Sequence, residues 1–270
     1  MKKCAHIALI LLAVIMLGAC DGYNKLVKST DYATQYSEAM RYYNEGRYGR
    51  ARQLFESLQL NYHERKNAED ISWYYAMTLL KQREYYLAAY TFSLFNKKFP
   101  YSEHAEEGRY NAAYCKYKDT PPSYLDQSTT KEAIAEFESF AERYPNSVHI
   151  PEVNAYVDEL NNLLMQKDYD IAVGYYNIES YHAAYVALKN FLNLYPDSPN
   201  REDAMYYVIL SGYEYGANSR EDKMKERLQQ VVSDFDSYSS FITNEKRKTA
   251  IQEAYTKSKA LLAQLETSTK

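Results

Sequence analysis

FNKKFPYSEHAEEGRY, residues 95–110, carries a pattern that returns twice downstream, as FAERYPNSVHIPE from Phe140 and as FLNLYPDSPNREDAMYY from Phe191. Each copy reads Phe, three residues, an aromatic, Pro, one residue, Ser. Reading outward from Phe99-Pro100, a longer frame appears: Ala76, Leu79, Ala88, Phe92, Phe95, Pro100. The same frame fits Ala133, Phe137, Phe140, Pro145 and again Ala184, Leu188, Phe191, Pro196. Residues four and seven beyond the second Ala share one helical face, and Pro ends the helix because it removes a donor and crowds the preceding turn. Small residues at Ala76 and Ala88 fall on two different helices and let their backbones approach. Ser102, Ser147 and Ser198 then begin or cap the next helix by accepting a bond from an amide near its start.

Weaker copies flank these three. Ala39, Tyr42, Ala51, Phe55 and Leu58 precede them; Gly212, Tyr215, Met224, Leu228 and Val231 follow, with His63 and Asp236 where Pro stood. Degenerate end copies are what a capped array shows. The frame resembles the tetratricopeptide repeat, a helix-turn-helix unit of about 34 residues. From Ala51 through Ala88, Ala133 and Ala184 to Met224 the spacings are 37, 45, 51 and 40, so the excess sits in turns. One insertion is visible as DTPPSYLDQST from Asp119, whose paired Pro breaks the helix between Ala113 and Ala133. An unrelated helical bundle has no reason to repeat small-residue positions in this frame. The resemblance implies an all-α fold: a right-handed superhelical tetratricopeptide solenoid of about five helix pairs over residues 32–236, followed by a polar C-terminal helix from about Asn244 to Leu265.

The first 20 residues read differently. MKKCAHIALILLAVIMLGAC has two lysines, an apolar run from Ile7 to Leu17 and the small pair Gly18-Ala19 before Cys20. This is the layout of a secretory signal, too short to span a bilayer as a mature helix. Leu17-Gly18-Ala19-Cys20 resembles the bacterial lipobox, in which the Cys thiol takes a diacylglyceryl group and becomes the first mature residue. The expected organisation is a lipoprotein signal peptide over 1–19, a lipid-anchored linker over 20–31, N-terminal repeats over 32–167, and C-terminal repeats with the terminal helix over 168–270. Several acyl chains at ~0.8 kcal/mol per buried methylene hold a protein on a membrane where one does so marginally.

The 270 residues carry 32 basic and 36 acidic side chains, and losing Lys2 and Lys3 with the signal makes the mature chain two units more negative. No bulk electrostatic case exists for nucleic acid. Cys4 leaves with the signal and Cys20 is acylated, so Cys115 has no intramolecular disulfide partner and reads as a small buried hydrophobe. The five His are scattered, and no metal-spaced cluster, nucleophile elbow or phosphate loop occurs, so no enzyme, metal or cofactor is expected.

Tyrosine is the outlier, at 31 residues. In tetratricopeptide arrays the first helix of each pair lines the concave wall. Counted in the frame, that wall takes Tyr36, Met40 and Tyr43, then Trp73, Met77 and Lys81, then Tyr110, Asn111, Tyr114 and Tyr117. Rings with a polar handle and few rotatable bonds suit extended polypeptide. Each ring either meets a bound chain or packs a neighbouring helix. The chaperone-type clamp for a C-terminal carboxylate uses Lys, Asn and Arg on first helices; Tyr36, Met40 and Trp73 stand where several of those would fall.

The lipobox, the repeat units, the YPNS and YPDSP junctions and the terminal helix together resemble the BamD family of outer-membrane assembly lipoproteins over nearly the whole mature chain, with the tyrosine excess and the insertion marking a divergent member. The resemblance implies a lipid-anchored protein on the periplasmic face of the outer membrane. Its implied partners are the barrel-insertase subunit of the assembly machinery, held by the C-terminal units, and unfolded β-barrel precursors, received by the N-terminal units. Two alternatives stay open: a generic tetratricopeptide envelope scaffold, and a glycan-binding surface lipoprotein, a type normally much longer. Asp21, directly after Cys20, signals inner-membrane retention in some enteric bacteria, and the choice of membrane stays open on that point.

Overall fold

The structure, a computed structural model, describes residues 22–61 and 65–268, which are helical or lie in turns, with no strand among them. The signal peptide expected over 1–19, Cys20, Asp21 and His63 lie outside the described residues. After a short helical run over 22–27, the helices are α1 (Tyr32–Asn44), α2 (Tyr48–Asn61), α3 (Arg65–Lys81), α4 (Tyr85–Lys98), α5 (Ala105–Lys118) and α6 (Ser128–Arg143). They continue as α7 (Ile150–Asn177), α8 (Tyr181–Leu194), α9 (Arg201–Ala217), α10 (Glu221–Tyr238) and α11 (Glu245–Ser268). Helices adjacent in sequence pack as pairs, α11 lying on both α9 and α10, so the chain is an all-α, tetratricopeptide-like array. It divides into two compact units: the described residues up to Pro121 with Asp126–Leu160, and Pro122–Leu125 with the residues from Asn161 onward.

The repeat frame is the core. Ala39, Ala51, Ala76 and Ala88 are closed from solvent, and so are Leu54, Phe55, Leu58, Leu79, Phe92 and Phe95 between them. Ala133, Phe137 and Phe140 fill the third copy, and Ala184, Leu188 and Phe191 the fourth. The last copy shows why the position must be small: a Cβ on Gly212 would come within 3.1 Å of the Tyr185 ring and 3.2 Å of Val231. Met224, its weakest match, is only half-buried.

Two kinds of turn recur, and each has one geometry. Between pairs, the chain leaves the second helix at Phe99, Tyr144 and Tyr195, with φ of −126°, −126° and −127°. The following Pro disfavours the α region at that residue, which stops the helix. Ser102 Oγ then accepts from His104 N (3.0 Å), Ser147 Oγ from His149 N (3.2 Å) and Ser198 Oγ from Asn200 N (3.1 Å). The serines therefore stand two residues ahead of the capping position and act on the residue that directly precedes each new helix.

Within pairs, Gly46, Arg83 and Glu179 adopt φ of 73°, 62° and 61°, each two residues before a helix that begins with Tyr. The amide that follows reaches back five residues in every case, Arg47 to Tyr42, Glu84 to Leu79 and Ser180 to Tyr175. This is the Schellman closure, whose left-handed residue is ordinarily Gly. Only the first turn uses it.

The insertion after Asp119 ends α5 as expected. Asp119 caps it through its backbone N–H, and α6 begins at Ser128. Within the second unit, Lys167 Nζ donates to the carbonyls of Ser123 (3.1 Å) and Leu125, fixing the inserted loop.

Candidate functional site

In the first unit the first helices α1, α3 and α5 and the start of α7 meet edge to edge, and their shared seams carry nearly all of the expected wall residues. Between α1 and α3, the Tyr36 hydroxyl reaches Asp70 at 3.5 Å, and Tyr43 sets its ring edge-on to Tyr74 at 5.2 Å. Between α3 and α5, Asn111 Nδ2 lies 4.0 Å from Met77 Sδ. Between α5 and α7, Tyr110 donates to Glu152 (2.8 Å), Tyr117 donates to Glu159 (2.6 Å), and Tyr114 and Tyr117 pack on Tyr156.

The inter-pair turns add a lid to two of these rings. His104 stacks on Trp73 with centroids 4.4 Å apart and planes 6° off parallel; His149 stacks on Tyr110 at 3.9 Å and 13°. His149 Nε2 also lies 2.9 Å from the Glu107 carboxylate. With Phe92 and Phe95 beneath it, Trp73 keeps only 6% of its surface exposed, and Tyr110, over Phe140, keeps 8%. Asn111 is buried as well. Tyr36, Met40, Tyr43, Met77 and Tyr114 are half-buried with part of each side chain open, and Lys81 is exposed. The part of the expected wall left open to solvent is thus this second group, while Trp73, Tyr110 and Asn111 are covered.

Burial, reinforced by neighbouring carboxylates, keeps these hydroxyls protonated. Tyr36 is pushed up to about 12, first by burial and then by Asp70. Tyr117 is pushed up to about 12 by burial and its bond to Glu159, and burial with Glu152 drives Tyr110 higher still. Neutral phenols that donate their one O–H to a carboxylate hold neighbouring helices together. They offer no activated nucleophile. Cys115 is fully buried, with its thiol pushed up to about 12 by desolvation, which suits packing rather than reaction. Among the described residues, no three His, Cys, Asp or Glu side chains gather as metal ligands would, and no helix is long and apolar enough to cross a membrane.

Several residues of these seams were not singled out in the sequence: Asp70, Tyr74, His104, Glu107, His149, Glu152, Tyr156 and Glu159. The histidines had a signal, since His104, His149 and Asn200 all stand four residues after the repeated Pro. The carboxylates had none, because Asp70, Glu152 and Glu159 lie 34 or 42 residues from their tyrosines, and Glu107 lies 42 from His149, with the spacing changing with the turn inserted between.

A family model described as YfiO, outer membrane lipoprotein, matches residues 29–224, most of the chain and all of the seams above. The chain belongs to this family of outer membrane lipoproteins. A search of curated proteins returns no match. The YfiO match ends within α10, so α11 lies beyond it. In the second unit the same device fastens that helix: Glu202 accepts from the amides of Thr243 (2.9 Å) and Asn244, Arg247 pairs with Asp203, and Tyr169 donates to Asp203.

Proposed function

We infer that this YfiO-family lipoprotein is a non-catalytic scaffold for outer-membrane protein assembly. It is held on the periplasmic face of the outer membrane through acylated Cys20, binds the barrel-insertase subunit through its C-terminal units, and receives unfolded β-barrel precursors on its N-terminal units. The observation that supports this most is the row of half-open Tyr36, Met40, Tyr43, Met77 and Tyr114 on adjoining first helices of one unit, with exposed Lys81 alongside. Such a row gives an extended chain ring and thioether contacts at intervals without demanding one sequence, as a receiver of many precursors must. Trp73, Tyr110 and Asn111 hold that row in place. Depleting the protein and quantifying outer-membrane barrels tests the reading: barrels fall in the membrane and precursors accumulate. Unchanged barrel levels, with other envelope complexes disturbed, would instead identify a generic envelope scaffold.

A further inference from the structure

The segment that joins Cys20 to the repeats is built as a mount rather than a tether. Residues 22–27 are helical, and Tyr23, Leu26 and Val27 pack against the core of the first helix pair. The fastening is polar as well as apolar. Gln35 of α1 is fully buried, and its Nε2 points at three carbonyls of this segment, Leu26 (2.8 Å), Val27 (3.0 Å) and Ser29 (2.9 Å). Ser57 of α2 donates to the Val27 carbonyl as well (3.1 Å). At the other end Tyr23 donates to the Arg50 carbonyl (2.7 Å), sets its ring edge-on to Tyr42, and lies beneath the Arg50 guanidinium. The two N–H groups of that buried amide are shared among three main-chain acceptors while its Oε1 has no partner, so the contacts this side chain makes go to holding that main chain.

This arrangement limits where a lipid can be. One residue, Asp21, separates Cys20 from Gly22. Two peptide units span at most about 7 Å in any conformation. We propose that residues 22–29 form a rigid mount that presses the α1/α2 pair against the bilayer surface, so that the bilayer itself is a second binding surface for the first repeat. The proposal rests on acylation of Cys20. A flexible linker would let the repeats drift by tens of ångströms; this segment leaves no slack.

The test uses the full, lipid-modified chain in vesicles of phosphatidylethanolamine and phosphatidylglycerol that carry an acceptor dye on the headgroups. Arg47→Cys places a donor dye on the exposed turn between α1 and α2, three residues from Arg50. Buried Cys115 does not compete for label. A Gly/Ser insertion of about 20 residues between Asp21 and Gly22, with an r.m.s. span of ~25 Å, should cut energy transfer at least about twofold while leaving every repeat contact intact. Gln35→Leu should speed amide exchange across residues 22–29 without loss of helicity. Transfer unchanged by the insertion, with the N-terminal peptide shown by mass to be acylated, overturns the mount and leaves the scaffold reading standing. An unmodified Cys20 peptide overturns the mount and the membrane anchoring together.

Discussion

The turn at Phe99–His104 in the first unit and the turn at Tyr195–Asn200 in the second share one backbone and are sealed by opposite chemistry. In the first, His104 lies flat on Trp73, over Phe92 and Phe95. In the second, Asn200 Nδ2 donates to Gln166 Oε1 at 3.0 Å, and the Tyr195 hydroxyl donates to Asp168 at 2.7 Å. Pro and Ser recur at every one of these turns, and the residue four after the Pro makes the seam contact: His104 by stacking, Asn200 by a hydrogen bond, and His149 by both. A stacked seam draws on buried area, which scales with ring size; a bonded one draws on partners that water can replace.

The largest effect tests what the units share. Tyr36 and Tyr117 in the first unit, and Tyr176 and Tyr195 in the second, are each pushed up to about 12 from an ordinary value near 10, chiefly by burial. A raised phenol contributes stability that is complete below its unfolded value and is lost as pH climbs through its folded value. Stability should therefore not change through tyrosine ionisation below pH ~10, and should collapse between about 10 and 12 in both units together. Phenolate absorbance recorded beside helicity checks this; tyrosines that all ionise near 10 without unfolding would contradict it.

Trp73→Ala removes the ring under the stacked seam and should cost about 3–5 kcal/mol in denaturant unfolding. Asn200→Ala should cost only about 1 kcal/mol, one net hydrogen bond. Equal losses would erase the distinction between the two seams.

The second unit has its own high-stakes position. Asp234, with 4% of its side chain exposed, accepts from Lys189 Nζ (2.7 Å) and the Tyr185 hydroxyl (2.6 Å). Asp234→Ala strands that cation, the Tyr185 hydroxyl and the Gln230 amide, which also donates to Asp234 (3.2 Å). It should cost about 3 kcal/mol, toward the low end for a broken buried pair because Lys189 keeps part of its surface in water. A loss under ~1 kcal/mol would mean that water already serves that site.

The smallest effects lie in the turns within pairs. Gly46→Ala should cost about 1 kcal/mol, since a left-handed residue tolerates Cβ poorly. Arg83→Gly and Glu179→Gly should be neutral or stabilising by up to ~1 kcal/mol, the relieved strain being partly offset by a freer unfolded chain. Destabilisation by either would show that the Arg83 or Glu179 side chain contributes more than its backbone strain costs.

These positions also separate what was legible in the sequence from what was not. Ala76, Ala88, Phe92 and Phe95 were readable because they answer to one steric rule that repeats with the helix period, and all are buried. The end of α5 was readable from Pro121 and Pro122. Trp73 could be assigned to a first helix, but its depth could not be foreseen, because the group covering it is His104, 31 residues along and on a turn. The docking of residues 22–29 was equally hidden, since a buried Gln looks like any surface Gln until its three carbonyls are placed.

The central claim is that the half-open rings of the first unit receive extended polypeptide. Titrating the full chain with the C-terminal peptide of an outer-membrane barrel, by calorimetry, tests it most directly. Several ring contacts of ~0.5–1.5 kcal/mol each, less the cost of ordering the peptide, give micromolar affinity, on the order of −8 kcal/mol. Tyr36→Ala with Tyr43→Ala should weaken binding at least ~tenfold, or about 1.4 kcal/mol, with helicity nearly unchanged. Equal affinity for the double variant and the native chain, both fully helical, would contradict the account.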